Sequence, residues 1–176
     1  MMALLRTAQL DAGALAEVRR LLDAAFRGER FGDDDWRHAL GGVHALVRND
    51  SRLVAHGALV PRSFLHAGRP LRVGYVEAVA VHPAERRRGL GSAVMAELED
   101  VVRREYDAGA LSATEDGAAL YRARGWLRWQ GTAWALTPAG RIRTAEDDDA
   151  VFVLPAVAEL DVTGELTCDW RTGDLW

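Results

Sequence analysis

Arg86-Arg87-Arg88-Gly89-Leu90-Gly91 sits between a strand-like apolar run ending at Val81 and a helix-like run opening at Ser92. Backbone N–H groups and the positive end of a helix placed there would face a bound phosphate. Gly89 and Gly91 let the chain turn tightly and approach an anion, and three guanidinium groups add charge at the rim. The chemistry on offer is capture of a pyrophosphate. A P-loop is excluded, because it needs a Lys followed by Ser or Thr and the chain contains no lysine. A dinucleotide fingerprint is weak, since Val94 stands where its third Gly or Ala belongs. There remain an R-x-x-G-x-G phosphate loop and a plain basic turn leading into a helix.

Further side chains could move protons or hold a cation. Glu77 lies in an otherwise apolar strand-like run, where a carboxylate is costly to bury unless it is hydrogen-bonded. It could take a proton from an amine, directly or through water; the alternative is a satisfied glutamate on an edge strand. Tyr121, just past the middle of a helix-like segment, could protonate a leaving thiolate, although an aromatic at helical spacing is commonly packing. The hydrophobic segment ending in Cys168-Asp169-Trp170 and Gly173-Asp174-Leu175-Trp176 is expected to dock through two anchors, Trp170 and Trp176. Docking would bring Asp174 and the carboxylate of Trp176 together, a pair suited to a polyamine. His38, His44, His56, His66 and His82 show no metal-ligand spacing, so no metal is assigned.

Positioning these groups takes alternating strands and helices. A strand is expected at residues 3–10 and a helix at 11–26, with Leu15, Val18, Leu22 and Phe26 on one stripe. After a loop at 28–35, Asp35 is expected to cap a short helix carrying Trp36 and Leu40, ended by Gly41-Gly42. Strands follow at 44–48, 53–64 and 71–81, the first two joined by the turn Asn49-Asp50-Ser51. A helix at 92–106 buries Val94, Leu98, Val101 and Val102. Then come a strand at 110–112, a helix at 115–124 stopped by Gly125, a strand at 126–136 and another at 151–154. Trp126 and Trp134 would share one face of the strand at 126–136, with Trp129 on the other. The fold class is α/β with a mixed, mostly antiparallel sheet flanked by helices, in a single domain over residues 1–176 that is 49% hydrophobic and can bury a core.

The absence of an 18-residue apolar run or an export signal argues against membrane association, and a lone Cys168 agrees with a reducing cytoplasm. A net charge of −4 argues against a nucleic-acid partner, and the acidic runs at 33–35 and 146–149 read first as solvated faces.

The stretch Tyr75-Val76-Glu77-Ala78-Val79-Ala80-Val81-His82-Pro83, the Arg86, Gly89, Gly91 loop and Ala119-Leu120-Tyr121-Arg122-Ala123-Arg124-Gly125-Trp126 together resemble the GNAT superfamily of N-acetyltransferases. A closer resemblance covers nearly the whole chain. Phe26, Asp35-Trp36, Leu40-Gly41-Gly42, Gly74-Tyr75-Val76-Glu77, Gly109-Ala110-Leu111-Ser112, Asp147-Asp148, Val151-Phe152-Val153-Leu154-Pro155 and the segment from Cys168 through Trp176 are similar to the aminoglycoside 2'-N-acetyltransferases of mycobacteria. The tail and the Gly-Tyr-Val-Glu strand are the specific parts. This resemblance implies a GNAT fold, acetyl-CoA as co-substrate, and direct attack by the 2'-amine of an aminoglycoside without a covalent enzyme intermediate, giving antibiotic resistance. It implies that backbone at Val79, Ala80 and Val81 holds the pantetheine arm and the thioester oxygen, while Arg86, Arg87, Arg88, Gly89, Leu90, Gly91 and Ser92 hold the pyrophosphate. It further implies an antibiotic pocket lined by Asp35, Glu77, Ser112, Asp147, Asp174 and the Trp176 carboxylate, and a homodimer. Glu77, Tyr121 and Trp176 are then the expected catalytic groups.

One position departs from the pattern, since Arg30 stands where the mycobacterial enzymes carry an aspartate. A cation facing a polycation is unfavourable, so either Glu29 substitutes or a less charged antibiotic such as kasugamycin is preferred to gentamicin or tobramycin. Two rivals stay open: acetylation of another small amine, a polyamine or amino sugar, and a non-catalytic acetyl-CoA sensor. Glu77, Tyr121 and the acidic tail count against the sensor, which needs none of them.

Overall fold

The computed structural model describes residues 1–27 and 31–176, so the expectations on Glu29 and Arg30 lie outside the described residues. The chain forms two compact units, Met1–Val60 with Val76–Asp100, and Pro61–Tyr75 with Val101–Trp176. Among the described residues, no helix is long and apolar enough to cross a membrane.

In the first unit, β1 (Met2–Arg6) pairs antiparallel with β2 (Val43–Asn49), which pairs antiparallel with β3 (Arg52–His66). The strand expected to reach residue 10 stops at Arg6. There the Arg6 N–H donates to Gln9 Oε1 at 2.7 Å and the Thr7 N–H donates to the Gly42 carbonyl at 2.9 Å, so Thr7–Gln9 closes as a 3-10 turn. Helix α1 (Ala12–Ala25) starts where Asp11 accepts the Ala14 N–H at 2.8 Å, and its apolar stripe packs Val18, Leu21 and Leu22 against Leu46, Leu53 and Ala80. Helix α2 (Asp33–His38) corrects the expected cap: Gly32 is the N-cap, and Asp35, inside the first turn, reaches back to accept the Gly32 N–H at 2.6 Å. Helix α3 (Leu90–Glu105) begins two residues earlier than the periodicity predicts and lies close on β3; a Cβ on Gly57 would come within 2.6 Å of Val94.

The hydrogen-bonded strand order is β6-β9-β5-β4-β3-β10-β7-β8. Here β4 is Arg69–Val81, β5 Ala108–Ser112, β6 Leu127–Arg128, β7 Ala133–Thr137, β8 Gly140–Arg143, β9 Val151–Pro155 and β10 Leu166–Cys168. β5 runs parallel to β4 and β10 parallel to β7, whereas β5–β9, β6–β9, β7–β8 and β3–β10 are antiparallel. Helix α4 (Glu115–Ala123) is capped by Thr114 and stopped, as expected, by Gly125 in the left-handed region at φ 85°.

The single strand expected over 126–136 is two, β6 and β7, with a crossing between them. The N–H groups of Gln130 and Gly131 both turn to the Val162 carbonyl, at 2.8 and 2.9 Å, and the Trp129 indole donates to the Gly164 carbonyl at 3.0 Å. Gly131 passes so near that carbonyl that a Cβ would meet it at 1.8 Å. The shared tryptophan face therefore does not exist: Trp126 and Trp129 are both buried outside the strands, and Trp134, on β7, lies under the guanidinium groups of Arg141 and Arg143 at 4.2 and 5.7 Å.

Candidate active site

The C-terminal half of β4 carries the proton-transfer candidate of the first unit. Tyr75 and Val76 are buried, but Glu77, Ala78 and Val79 are consecutively half-buried, so the strict in-out alternation of a strand fails there. Ala78 explains it: its φ of 51° is left-handed, a conformation that costs a residue with a Cβ about 1–2 kcal/mol. The kink re-aims the residues beside it. Glu77 is thus less enclosed than an apolar strand would make it. The Ala78 carbonyl accepts from His56 Nδ1 at 2.9 Å.

Beyond Val81, the His82 N–H returns to the Val54 carbonyl at 2.8 Å, and the chain turns through Pro83–Glu85 into the arginine-glycine loop. Arg87 and Gly89 are both left-handed, at φ 65° and 75°, which is the conformational demand glycine meets without strain at 89. Leu90, Gly91 and Ser92 are the first residues of α3, so their N–H groups have no acceptor one turn back in the helix. The arginines divide their labour. Arg86 donates to the Ala25 carbonyl at 2.8 Å, tying the loop to the end of α1, and Arg88 pairs with Glu85 at 2.7 Å. Asp35, half-buried on α2, spends one carboxylate oxygen on its own helix cap.

The second unit holds the remaining candidates. Ser112 is exposed at the end of β5, opposite Val151. Tyr121, on α4, is enclosed edge-on by Trp126 and tilted against Phe152, each ring 6.2 Å away, and burial pushes its hydroxyl up to about 12. It is fully protonated at neutral pH, as a donor must be. Asp147 closes a 3-10 turn at Ala145–Asp147. Burial first, then the charges of Glu146, Asp174 and Asp148, push its carboxyl up to about 6, while the Thr144 hydroxyl pulls the other way. That same hydroxyl oxygen accepts the Trp176 indole N–H at 2.9 Å, so Thr144 links Trp176 to Asp147.

Trp176 docks as expected, buried and edge-on to Phe64 at 5.2 Å, but Trp170 is 50% exposed and is no anchor. What replaces it is Arg62, a residue sequence reasoning missed. Its buried guanidinium donates to Asp169 Oδ1, the Asp169 carbonyl and the Leu175 carbonyl, all at 2.8 Å, and lies 4.8 Å from the ring of Tyr75 and 5.2 Å from that of Phe64. The signal was present, since Arg62 occupies an inward position of β3 between exposed Pro61 and Ser63. Cys168 is buried beside this clamp, and burial pushes its thiol up to about 11, which leaves it unreactive at neutral pH.

A profile of the acetyltransferase (GNAT) domain matches residues 6–128. Over 177 aligned residues the chain is 49% identical to the aminoglycoside 2'-N-acetyltransferase of Mycolicibacterium fortuitum, spanning 98% of this chain and 90% of that protein. The chain belongs to the aminoglycoside 2'-N-acetyltransferase family. Among solved structures it superposes on a GNAT family acetyltransferase from Brucella melitensis in complex with acetyl-CoA, at TM-score 0.62 and 17% identity over 94% of both chains. It also superposes on the ribosomal-protein-S18-alanine N-acetyltransferase from Escherichia coli, at TM-score 0.61 and 16% identity, covering 92% of this chain and 97% of that one. These two establish the GNAT fold that the strand-loop-helix signature implies.

Proposed function

We propose that the protein transfers the acetyl group of acetyl-CoA to the 2'-amine of an aminoglycoside and so confers resistance to it. The observation that carries this is the 49% identity, over almost the whole chain, to an enzyme of that name. The cofactor is acetyl-CoA alone, with no metal. Leu90, Gly91 and Ser92 N–H groups with Arg86, Arg87, Arg88 and Gly89 hold the pyrophosphate, and the Val79, Ala80 and Val81 backbone holds the pantetheine amides and the thioester oxygen.

Glu77 takes a proton from the ammonium, directly or through water, so that nitrogen attacks the thioester carbon. The C–N bond forms, the C–S bond breaks, the Tyr121 hydroxyl gives its proton to the departing thiolate, and the second proton shed by the acylated nitrogen restores the Tyr121 hydroxyl, directly or through water. The products are an amide and CoA. Asp35, Ser112, Asp147, Asp174 and the Trp176 carboxylate bind the antibiotic's other amines and hydroxyls. The enzyme works as a cytoplasmic homodimer on small molecules, away from membranes and nucleic acid.

The acid group around Asp147 fits any polyamine, which keeps acetylation of a polyamine or amino sugar as a second reading. Release of CoA thiol separates the two. Turnover with kasugamycin, gentamicin or tobramycin, and far less with spermidine or glucosamine, is the expected result; the reverse preference overturns the assignment. Kasugamycin against gentamicin tests the consequence expected from Arg30.

A further inference from the structure

Thr7, His44 and His56 form a buried file that the reaction above leaves unused. Both imidazoles are 0% exposed. A carbonyl can only accept, so His56 donates from Nδ1 to the Ala78 carbonyl at 2.9 Å and its Nε2 is left as an acceptor. His44 then donates from Nδ1 to His56 Nε2 at 2.9 Å, and its own Nε2 accepts the Thr7 hydroxyl at 2.8 Å. Thr7 Oγ1 in turn accepts the N–H groups of Gly41 and Gly42 at 2.9 and 3.2 Å. Every link has one polarity, and the file ends on the left-handed residue of β4. Burial lowers His44 to about 4, and burial followed by the neighbouring His44 lowers His56 to about 3, so both rings are neutral and this polarity is kept.

Two buried imidazoles are a poor way to fill space, because any unmet nitrogen would be costly and an aliphatic side chain carries no such risk. Their use has a reason at Ala78. We infer that His56, held in register by His44 and Thr7, is a positioning residue that fixes the Ala78 kink and thereby aims the Glu77 carboxylate and the Val79 N–H. Relaxing Ala78 to extended backbone would swing its carbonyl off His56 and turn Glu77 toward the other face of β4. This rests on the acetyl-transfer reading of Glu77.

The test exploits side-chain shape. His56→Asn places an amide N–H near the Nδ1 position and keeps the bond to Ala78; His56→Gln reaches the Nε2 position and keeps only the link to His44. The Asn variant is expected to hold kcat within about threefold, and the Gln variant to lose roughly 10- to 100-fold in kcat, with both substrate KM values nearly unchanged. Equal kcat for two variants of equal melting temperature overturns the positioning role. A measurement on the unsubstituted protein stands even if neither variant folds: imidazole nitrogen NMR at pH 7 must show both rings neutral and protonated at Nδ1. A proton on Nε2, or a charged ring, overturns the inference. Absence of CoA release from the unsubstituted protein with any amine would instead strike the acetyl-transfer reading and leave the tautomer result to be judged separately.

Discussion

The histidine file of the first unit and the acid group of the second both bury polar chemistry, and they do so in opposite ways. Along Thr7, His44 and His56 every ring nitrogen is hydrogen-bonded and the sum of charge is zero. Around Asp147 three further carboxylates crowd a group already half-buried, and burial first, then their repulsion, raises its pKa to about 6. The first assembly pairs every group with a neutral partner; in the second Arg143 pairs with Asp148, while Asp147 is left among like charges. A reacting centre needs fixed geometry, whereas a capture site gains from an imbalance that its ligand corrects.

The contrast breaks most sharply at the loop, whose polarity is opposite to that of the acid group. Gly91→Glu should cost at least about 100-fold in acetyl-CoA affinity, because a carboxylate and its bulk both oppose a pyrophosphate; Arg88→Ala should cost only about threefold. Calorimetry on the folded variants decides, and unchanged affinity in Gly91→Glu removes the loop assignment. Glu77→Gln comes next, lowering turnover by about 100-fold at neutral pH with partial recovery as pH rises and free amine becomes abundant. Wild-type rates at every pH would return Glu77 to a structural role.

Tyr121→Phe should lower the acetyl-transfer rate about tenfold in single-turnover kinetics while leaving acetyl-CoA affinity near normal; full activity would make the ring mere packing against Trp126 and Phe152.

The smallest effect sharpens the comparison from the acid side. Asp147 has a folded pKa of about 6, above its ordinary 3.8, so between those values the folded state binds more protons than the unfolded one. Stability therefore falls as pH rises from about 4 to about 6. Asp147→Asn should relieve that loss, gaining about 1 kcal/mol at pH 8 once solvent screening is allowed for, and nothing below pH 4. The same variant should raise the acceptor KM several-fold above pH 6 and leave acetyl-CoA untouched. Urea titrations at pH 4 and pH 8 would show no difference if Asp147 were an ordinary surface carboxylate.

Local signals carried most of the fold. The stripe of α1, the turn at Asn49-Asp50-Ser51 and the glycine stop at Gly125 depend on neighbours in sequence, and each lies where the pattern puts it. The strand-loop-helix order around residues 81–92 was legible for the same reason. What escaped depends on distant partners. β8, four exposed or half-exposed residues with two arginines, and β10, three residues long, are strands only because β7 and β3 lie beside them. The break at 129–132 follows from the Val162 and Gly164 carbonyls, more than 30 residues away. Arg62 and His56 look like interruptions of an apolar strand until their acceptors, Leu175 and Ala78, are known.

β10 lies between β3 and β7, yet it is synthesised after both. On a ribosome, Leu65 and His66 of β3 and the Ala133 segment of β7 emerge with their facing backbone groups unmatched, and they stay so until Leu166, Thr167 and Cys168 arrive. The nascent chain therefore passes through a stage with two exposed strand edges, the kind of surface that chaperones bind and that neighbouring nascent chains can join. A ribosome stalled after residue 137 but before 166 would hold the protein in its most adhesive state.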